Sequence, residues 1–169
     1  SNYYHPHIGG IEQVARDCVS AVCGGAEQRV FCFHSQKGDR RDMVDGVEVV
    51  RAGTFVKVAS QSLSFSYGKL LKREMKAFDP DIVIFHFPNP FASHYLLKCL
   101  KRSRAKLILW WHLDIIKQKF LKKLFRGQTL RLLRRADKVV ATSPNYIEGS
   151  EFLPAFREKC VVIPNCAAD

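Results

Sequence analysis

Short runs of almost unbroken apolar and aromatic residues alternate along this chain with segments in which apolar residues recur every three or four positions. The runs are rich in β-branched and aromatic residues, which favour strands. Because they do not alternate with polar residues, they are typical of parallel strands covered by helices on both faces. We therefore predict an α/β fold, a doubly wound parallel sheet with strands at 29–34, 47–50, 81–87, 106–111, 138–142 and 159–163.

Helical periodicity marks the segments between these runs. The first helix is predicted from Ile11 to Val22, before two glycines that end it. Further helices are predicted at 63–78, at 91–100, at 115–135 and from Ser143 onward. A chain of 169 residues with 47% apolar residues fits one domain, 1–169. No strand precedes the first helix, so we expect an unpaired sheet edge through which this chain could self-associate.

Charge and cysteine content narrow the class of protein. The 27 Lys and Arg residues against 16 Asp and Glu residues give a net charge of +11, which favours an anionic partner. The six cysteines form no C-x-x-C pair, which indicates a reducing compartment and no structural zinc. No apolar run approaches the ~18 residues of a membrane span, and no signal peptide is recognisable. We expect a cytoplasmic protein, at most peripheral to the inner face of the plasma membrane.

The helix predicted at 115–135 is strongly basic and interleaves Lys and Arg with Leu, Ile and Phe. Such a helix could lie on an anionic bilayer. A solvated basic face opposite a core-facing stripe explains the same pattern. Nucleic acid is the least favoured partner, because no helix-turn-helix, zinc-finger or RNA-platform motif accompanies the charge.

Two adjacent glycines lie just before the first helix, in the run His7-Ile8-Gly9-Gly10-Ile11-Glu12. Without side chains there, a ligand could approach the unpaired backbone N–H groups and the positive end of the helix dipole. Phosphate is the natural ligand of such a site. A double glycine is also ordinary turn punctuation, and neither a G-x-G-x-x-G run nor a Walker lysine is present.

Two histidines follow predicted strands at the same edge of the sheet. His86 and His112 lie at carboxyl ends of strands, where open α/β sheets bind ligands, with Asn89 and Asp114 close by in sequence. The aromatic flanks suit a sugar, although a strand-end histidine bonded to a carboxylate is a common structural outcome. A G-x-S-x-G elbow and metal-ligand spacing are both absent, so the pattern predicts a binding crevice without an evident nucleophile or metal.

Five segments in order along the chain resemble the N-terminal, Rossmann-like domain of glycosyltransferases of family 4, which have the GT-B fold. They are 3–12 (YYHPHIGGIE), 85–90 (FHFPNP), 111–114 (WHLD), 134–146 (RRADKVVATSPNY) and 162–165 (VIPN). Each segment is weak alone, but together they cover nearly the whole chain. The resemblance implies a two-domain enzyme in which this half holds the acceptor, while a second domain, absent from this chain, holds most of the donor.

The resemblance also implies roles for single residues. His112 and Asp114 would be catalytic, with His112 near the anomeric centre, and Gly9 and Gly10 would approach the donor diphosphate. The acceptor side and the floor of the cleft would be formed by His7, Glu12, His86, Asn89, Ser143 and Asn145.

The implied reaction is hexosyl transfer from a UDP- or GDP-sugar to a glycan or lipid-linked acceptor, as in cell-surface polysaccharide synthesis. Members of the family retain anomeric configuration, with the leaving phosphate helping to accept the acceptor proton, and need no metal or other cofactor. Their E-x7-E element belongs to the other domain, so this chain alone is expected to be inactive. Two departures are Cys166, where the family's hinge has glycine, and His5, where proline is frequent.

Two other readings stay open at this point. A non-catalytic Rossmann-type module could bind an anionic ligand or nucleic acid through its basic face. A nucleotide-sugar epimerase of related architecture shares the fold class, but should lack the paired TSPNY and VIPN segments.

Overall fold

A computed structural model describes residues 2–58, 61–114 and 119–164, with side chains from residue 125 onward in the last range. The chain divides into two compact units, Ser1–Phe78 and Asp79–Asp169. The prediction of one domain over 1–169 stays a prediction.

The first unit opens with a loop that leads into helix α1, Gly10–Ala21. A three-stranded sheet follows in the order β1-β3-β2, with β1 parallel and β2 antiparallel to β3. A separate antiparallel hairpin, β4-β5, precedes the last helix. The elements after α1 are β1 Arg29–His34, β2 Arg40–Val44, β3 Val47–Gly53, β4 Val56–Val58, β5 Gln61–Leu63 and α2 Tyr67–Phe78.

The core of the first unit joins α1 and the N-terminal loop to β1 and β3. Ala15 of α1 is buried, as are Tyr4 of the loop and Cys32 of β1. The strands β2 and β3 are joined by the two-residue turn Asp45-Gly46, in which both residues have positive φ, 50° and 78°. This is the geometry that favours a tight hairpin, because its twist matches that of the strands.

The second unit is a parallel sheet in the order β6-β7-β8-β9, flanked by helices. It confirms the predicted α/β, Rossmann-like fold class. Its elements are β6 Ile82–Phe87, α3 Pro90–Leu100, β7 Lys106–Trp111, α4 Lys119–Arg135, β8 Lys138–Ala141, α5 Pro144–Gly149, a 3-10 helix Leu153–Lys159 and β9 Cys160–Val162.

The register of β6 against β7 decides which side chains share a face. Phe87 is paired with Trp111, and both are fully buried with their rings stacked 4.1 Å apart. His86 is paired with Trp110, so these two side chains lie on the opposite face of the sheet. The apolar core therefore covers one face, and the two strand-end histidines belong to the other.

Several predicted bounds differ from the structure. The helix predicted at 63–78 begins at Tyr67, because Leu63 is paired with Val56 in the hairpin. The strands β2, β4 and β5 and the 3-10 helix were not predicted. Residues 115–118 of the predicted basic helix and Cys166 of the hinge lie outside the described residues. Among the described residues, none of the helices is both long and apolar enough to cross a membrane.

Candidate active site

His86 and His112 form a directly hydrogen-bonded pair. Nδ1 of His86 lies 2.9 Å from Nε2 of His112, and the two rings stack with their centroids 5.2 Å apart. His86 also stacks on the indole of Trp110, at 5.9 Å. The backbone N–H of His112 donates to the carbonyl oxygen of Phe87, which continues the β6–β7 ladder one residue further. The parallel strands therefore place both rings at the predicted edge of the sheet.

Both rings of this pair are held neutral. Burial lowers the pKa of His112 to about 4. Burial keeps the pKa of His86 well below its ordinary value, and the neighbouring ring of His112 adds to this effect. At neutral pH one ring donates and the other accepts, so the tautomer of His86 determines that of His112. Since His86 is 5% exposed and His112 is half-buried, His112 is the member that a ligand can reach.

Asp114 accepts three hydrogen bonds from its own chain. Its Oδ1 accepts from Nε1 of Trp111 at 2.8 Å and from Oγ of Ser150 at 3.0 Å, and its Oδ2 accepts from the backbone N–H of Glu151 at 3.1 Å. Its own backbone N–H donates to the hydroxyl of Tyr146, 3.0 Å away. The carboxylate therefore connects the end of β7 to the C-terminal end of α5, and the backbone of Asp114 contacts Tyr146 within that helix.

Asn89 and Ser143 each cap a helix. The side chain of Asn89 accepts from the backbone N–H of Ala92 at 2.9 Å, at the start of α3. Oγ of Ser143 accepts from the backbone N–H of Tyr146 at 3.1 Å, at the start of α5. Both caps are followed by proline, which is preorganised for the first helical position. Asn89 is almost fully buried, whereas Ser143 is half-buried and within reach of a ligand.

A small cavity of about 180 Å³ lies beside Asp114. Asn145 is exposed at its rim. The remaining lining comes from Tyr146, Gly149 and Ser150. The structure thus brings Asp114 and Asn145 together, in addition to the histidine pair.

The two glycines differ in their surroundings. Gly9 is the N-cap of α1 with an extended backbone (φ −171°), and the carboxylate of Glu12 occupies the place where a Cβ on Gly9 would lie. A Cβ on Gly10 would have nothing within 4 Å. Glu12 in the first turn therefore interacts with the positive end of the helix dipole, where the sequence predicts phosphate. His7 is exposed and stacks on Tyr3, with ring centroids 4.4 Å apart.

Arg51 holds the loop that leads to these glycines, and the sequence analysis missed it. It lies in β3 and is 5% exposed. Its guanidinium donates to the carbonyl oxygens of Tyr4 at 3.4 Å and His5 at 2.5 Å, and forms an ion pair with Asp42. The only available signal was an arginine after the two valines of the run VEVVRAG.

The predicted site residues fall into both units. His7, Gly9, Gly10 and Glu12 belong to the first unit, and the other six belong to the second. Within the described ranges, no group of three His, Cys, Asp or Glu side chains is placed to hold a metal ion. The histidine pair and the glycine loop can each hydrogen-bond to an uncharged or anionic polar ligand.

An α/β unit with neutral polar side chains at the carboxyl ends of its parallel strands defines a ligand-binding domain of Rossmann-like type. The chain belongs to glycosyltransferase family 4. The sequence model described as Glycosyltransferase Family 4 matches residues 8–167, which confirms the resemblance seen in the five segments.

Two characterised relatives cover almost all of this chain. It is 36% identical over 165 residues to the O-antigen chain mannosyltransferase C of Escherichia coli. The aligned region covers 96% of this chain and 43% of that relative. It is 37% identical over 164 residues to the D-rhamnosyltransferase WbpZ of Pseudomonas aeruginosa. The aligned region covers 95% of this chain and 42% of that relative. The chain therefore spans less than half the length of these relatives.

Proposed function

We propose that this chain is the acceptor-side half of a retaining glycosyltransferase that uses a nucleotide-sugar and acts in the synthesis of a cell-surface polysaccharide or lipid-linked glycan. Family membership supports sugar transfer, and one relative carries the O-antigen in its name. Both relatives are named for the transfer of a hexose or a deoxyhexose. These names support a hexosyl or deoxyhexosyl donor for this protein.

The observation that carries the proposal is the neutral His86–His112 pair. With a pKa of about 4, His112 is a poor base at neutral pH, so it is unsuited to deprotonate the acceptor hydroxyl. A retaining reaction in which the leaving phosphate takes that proton needs no such base. His112 would instead hydrogen-bond a hydroxyl of the transferred sugar. His86, buried behind it, would act as a positioning residue.

The donor diphosphate would meet the N-terminus of α1. The backbone N–H groups of Gly9 and Gly10 and the open space at Gly10 suit a phosphate group. Because the carboxylate of Glu12 lies over Gly9, it would have to turn away before an anion binds there. Glu12 would thus act as a stand-in for the phosphate in the unliganded protein.

The donor is proposed to be a GDP- or UDP-sugar, with no metal and no other cofactor. Most donor contacts would come from the part of the protein that corresponds to the remaining length of the relatives, so this chain alone would be inactive. Cytoplasmic location, self-association and membrane contact through α4 stay predictions.

The proposal is tested by nucleotide release from the full-length protein. A panel of UDP-, GDP- and ADP-sugars is offered with a membrane extract as the source of acceptor, to the wild type and to His112→Ala. The matched control is His94→Ala, since His94 is an exposed histidine of α3. We expect release from one donor, lowered at least about a hundredfold in His112→Ala, which is about 2.7 kcal/mol of transition-state stabilisation, and unchanged in the control.

Two results contradict the proposal in different ways. Unchanged release by His112→Ala would remove the role of the histidine pair but leave sugar transfer intact. No release from any donor by the wild type would favour a non-catalytic binding module. The anomeric configuration of the product, read from its one-bond C1–H1 coupling constant in NMR, tests retention separately.

A further inference from the structure

Ile8, in the loop that leads to the two glycines, is 88% exposed, more than any other large apolar side chain in the described ranges. Single exposed apolar residues are common on protein surfaces. The position of Ile8 is unusual, however, because it directly precedes Gly9, the N-cap of α1. Its side chain therefore begins beside the helix N-terminus at which the proposed function places the donor diphosphate.

Ile8 does not fix the start of α1. An apolar residue that precedes the N-cap often packs against the fourth helical residue, in a hydrophobic staple. Here the fourth residue is Gln13, whose side-chain amide donates to Oδ1 of Asp17 at 2.8 Å. Because Gln13 is polar and exposed and Ile8 is almost fully exposed, no staple forms. Packing among the described residues therefore does not account for an apolar side chain at this position.

The loop that carries this isoleucine is held in place at several points. The hydroxyl of Tyr3 lies 2.5 Å from Oγ of Ser62, and the Tyr3 ring stacks on the ring of His7. The backbone N–H of His7 donates to the carbonyl oxygen of Tyr4 at 3.1 Å. Arg51, buried in β3, donates to the carbonyl oxygens of two loop residues. These contacts set the position of the exposed isoleucine relative to the two glycines.

The proposed reaction determines which ligand lies beside this loop. When the leaving phosphate takes the acceptor proton, the acceptor hydroxyl must be within hydrogen-bonding distance of that phosphate. The phosphate is proposed to bind at the backbone N–H groups of Gly9 and Gly10. Because consecutive Cα atoms are about 3.8 Å apart, the side chain of Ile8 reaches a sugar ring that contacts a phosphate bound there.

We propose that Ile8 is a specificity-determining residue for the acceptor, and that its side chain packs on the sugar unit that receives the new bond. The C–H groups on one face of a pyranose ring form an apolar surface, and contact with it removes part of the isoleucine side chain from water. This inference rests on the proposed function. It adds a residue that selects the acceptor by apolar contact, whereas the histidine pair acts by hydrogen bonding.

The test uses the full-length protein and measures donor and acceptor separately. Nucleotide release from the donor that the panel identifies is followed without acceptor, as hydrolysis, and then with increasing amounts of the membrane extract. The variants are Ile8→Ser, which removes most of the apolar surface, and Ile8→Leu, which keeps it. The matched control is Met43→Ser, since Met43 is an apolar side chain of β2 that is 67% exposed.

We expect Ile8→Ser to raise the half-saturating amount of extract about tenfold, which corresponds to about 1.4 kcal/mol. Loss of the apolar contact made by part of one isoleucine side chain has an effect of this size. The maximal rate, and the KM for the donor in hydrolysis, should each change by less than about twofold. Ile8→Leu should bring the half-saturating amount back to within about threefold of the wild type, and Met43→Ser should leave all three values unchanged.

Three results would overturn the inference while the wild type still transfers sugar, so that the proposed function stands. An unchanged half-saturating amount in Ile8→Ser would show that the acceptor does not contact this side chain. An equal rise in the KM for the donor, measured without acceptor, would assign the contact to the donor. A fall in the maximal rate alone would assign it to the remaining part of the protein. No nucleotide release by the wild type would contradict the proposed function and this inference with it.

Discussion

Replacing Asp114 with alanine removes one carboxylate and three hydrogen bonds at once. The donors are Nε1 of Trp111, Oγ of Ser150 and the backbone N–H of Glu151. Trp111 is fully buried, so its indole N–H loses its protein acceptor in an apolar environment after the substitution. The variant therefore tests whether the carboxylate sustains the fold, independently of any role in sugar transfer.

The loss of stability depends on whether each donor still has an acceptor after the substitution. An unsatisfied buried donor costs about 1–3 kcal/mol. Oγ of Ser150 keeps the bonds that it accepts from the backbone N–H groups of Phe152 and Leu153, but its own O–H loses the carboxylate as acceptor. Nε1 of Trp111 loses the same carboxylate. We expect the free energy of unfolding of the second unit to fall by about 3 kcal/mol, mostly through the buried donors of Trp111 and Ser150.

Hydrogen exchange followed by mass spectrometry in the full-length protein measures this locally. Peptides from β7 and α5 should lose protection by about 150-fold in Asp114→Ala, since 1.4 kcal/mol is a factor of ten. The control is Glu148→Ala, which removes an exposed carboxylate of α5 paired with Arg157 and should cost no more than about 0.5 kcal/mol. A loss of protection below about threefold in Asp114→Ala would refute the argument.

Asp114→Asn then separates stability from catalysis. The amide keeps one acceptor for Trp111 but presents a donor to the backbone N–H of Glu151, so we expect about half the loss seen for alanine. If protection falls only by about this amount while nucleotide release falls at least about a hundredfold, the carboxylate acts on substrate, as the family resemblance predicts. Equal losses in both measurements would assign it a structural role alone.

Three further predictions concern other parts of the two units. As pH falls from about 6.5 to about 4, His86 and His112 become protonated in the unfolded chain, whereas burial keeps them neutral in the folded protein. The free energy of unfolding should therefore decline across that window. Urea unfolding should show a shallower decline in His112→Gln. Arg51→Ala leaves two loop carbonyls and a carboxylate unpaired and should cost about 3 kcal/mol, measured as lost exchange protection in β3. Ser143→Ala removes the cap of α5 and should cost about 1 kcal/mol in the same measurement, whereas Ser143→Asp should restore it.

The parallel strands were predictable because each carries its own signal. The runs that form β1, β6, β7 and β8 are apolar on both faces and are bounded by turn or helix residues, so local composition was sufficient. The cap of α5 was also readable, since Ser143 stands directly before a proline and a helix. Its side-chain hydrogen bond to the backbone N–H of Tyr146 confirms that interpretation.

The missed strands carry no such local signal. The five residues of β2, Arg40–Val44, are largely exposed and mostly charged, and they form a strand because the Asp45-Gly46 turn folds them onto β3. The hairpin strands have three residues each, and Leu63 fits a helical stripe as well as a strand. These strands form because each pairs with a neighbouring segment. The periodicity of apolar residues within one segment does not reveal such pairing.

The position of the site was predictable from the sequence, but the hydrogen bonds between its residues were not. That His86 and His112 would lie at one edge of the sheet follows from parallel strands alone. That their rings would bond to each other depends on the register of β6 against β7. The partners of Asp114 include Ser150 and Glu151, which follow it by more than thirty residues. Arg51 was missed because a charged residue in a strand is unremarkable without the carbonyl groups that it contacts.

The residues in the segments that reveal the family have two different roles. In FHFPNP and TSPNY, Asn89 and Ser143 hold helix N-termini, and in WHLD the aspartate holds α5 against β7. These residues would be required by any protein with this arrangement of strand ends, whatever its ligand. His86, His112 and the Gly9–Gly10 loop have no comparable task in the packing that the structure describes. If the proposed function is right, substitutions at these last positions should impair sugar transfer more than they impair stability, and substitutions of the caps should do the reverse.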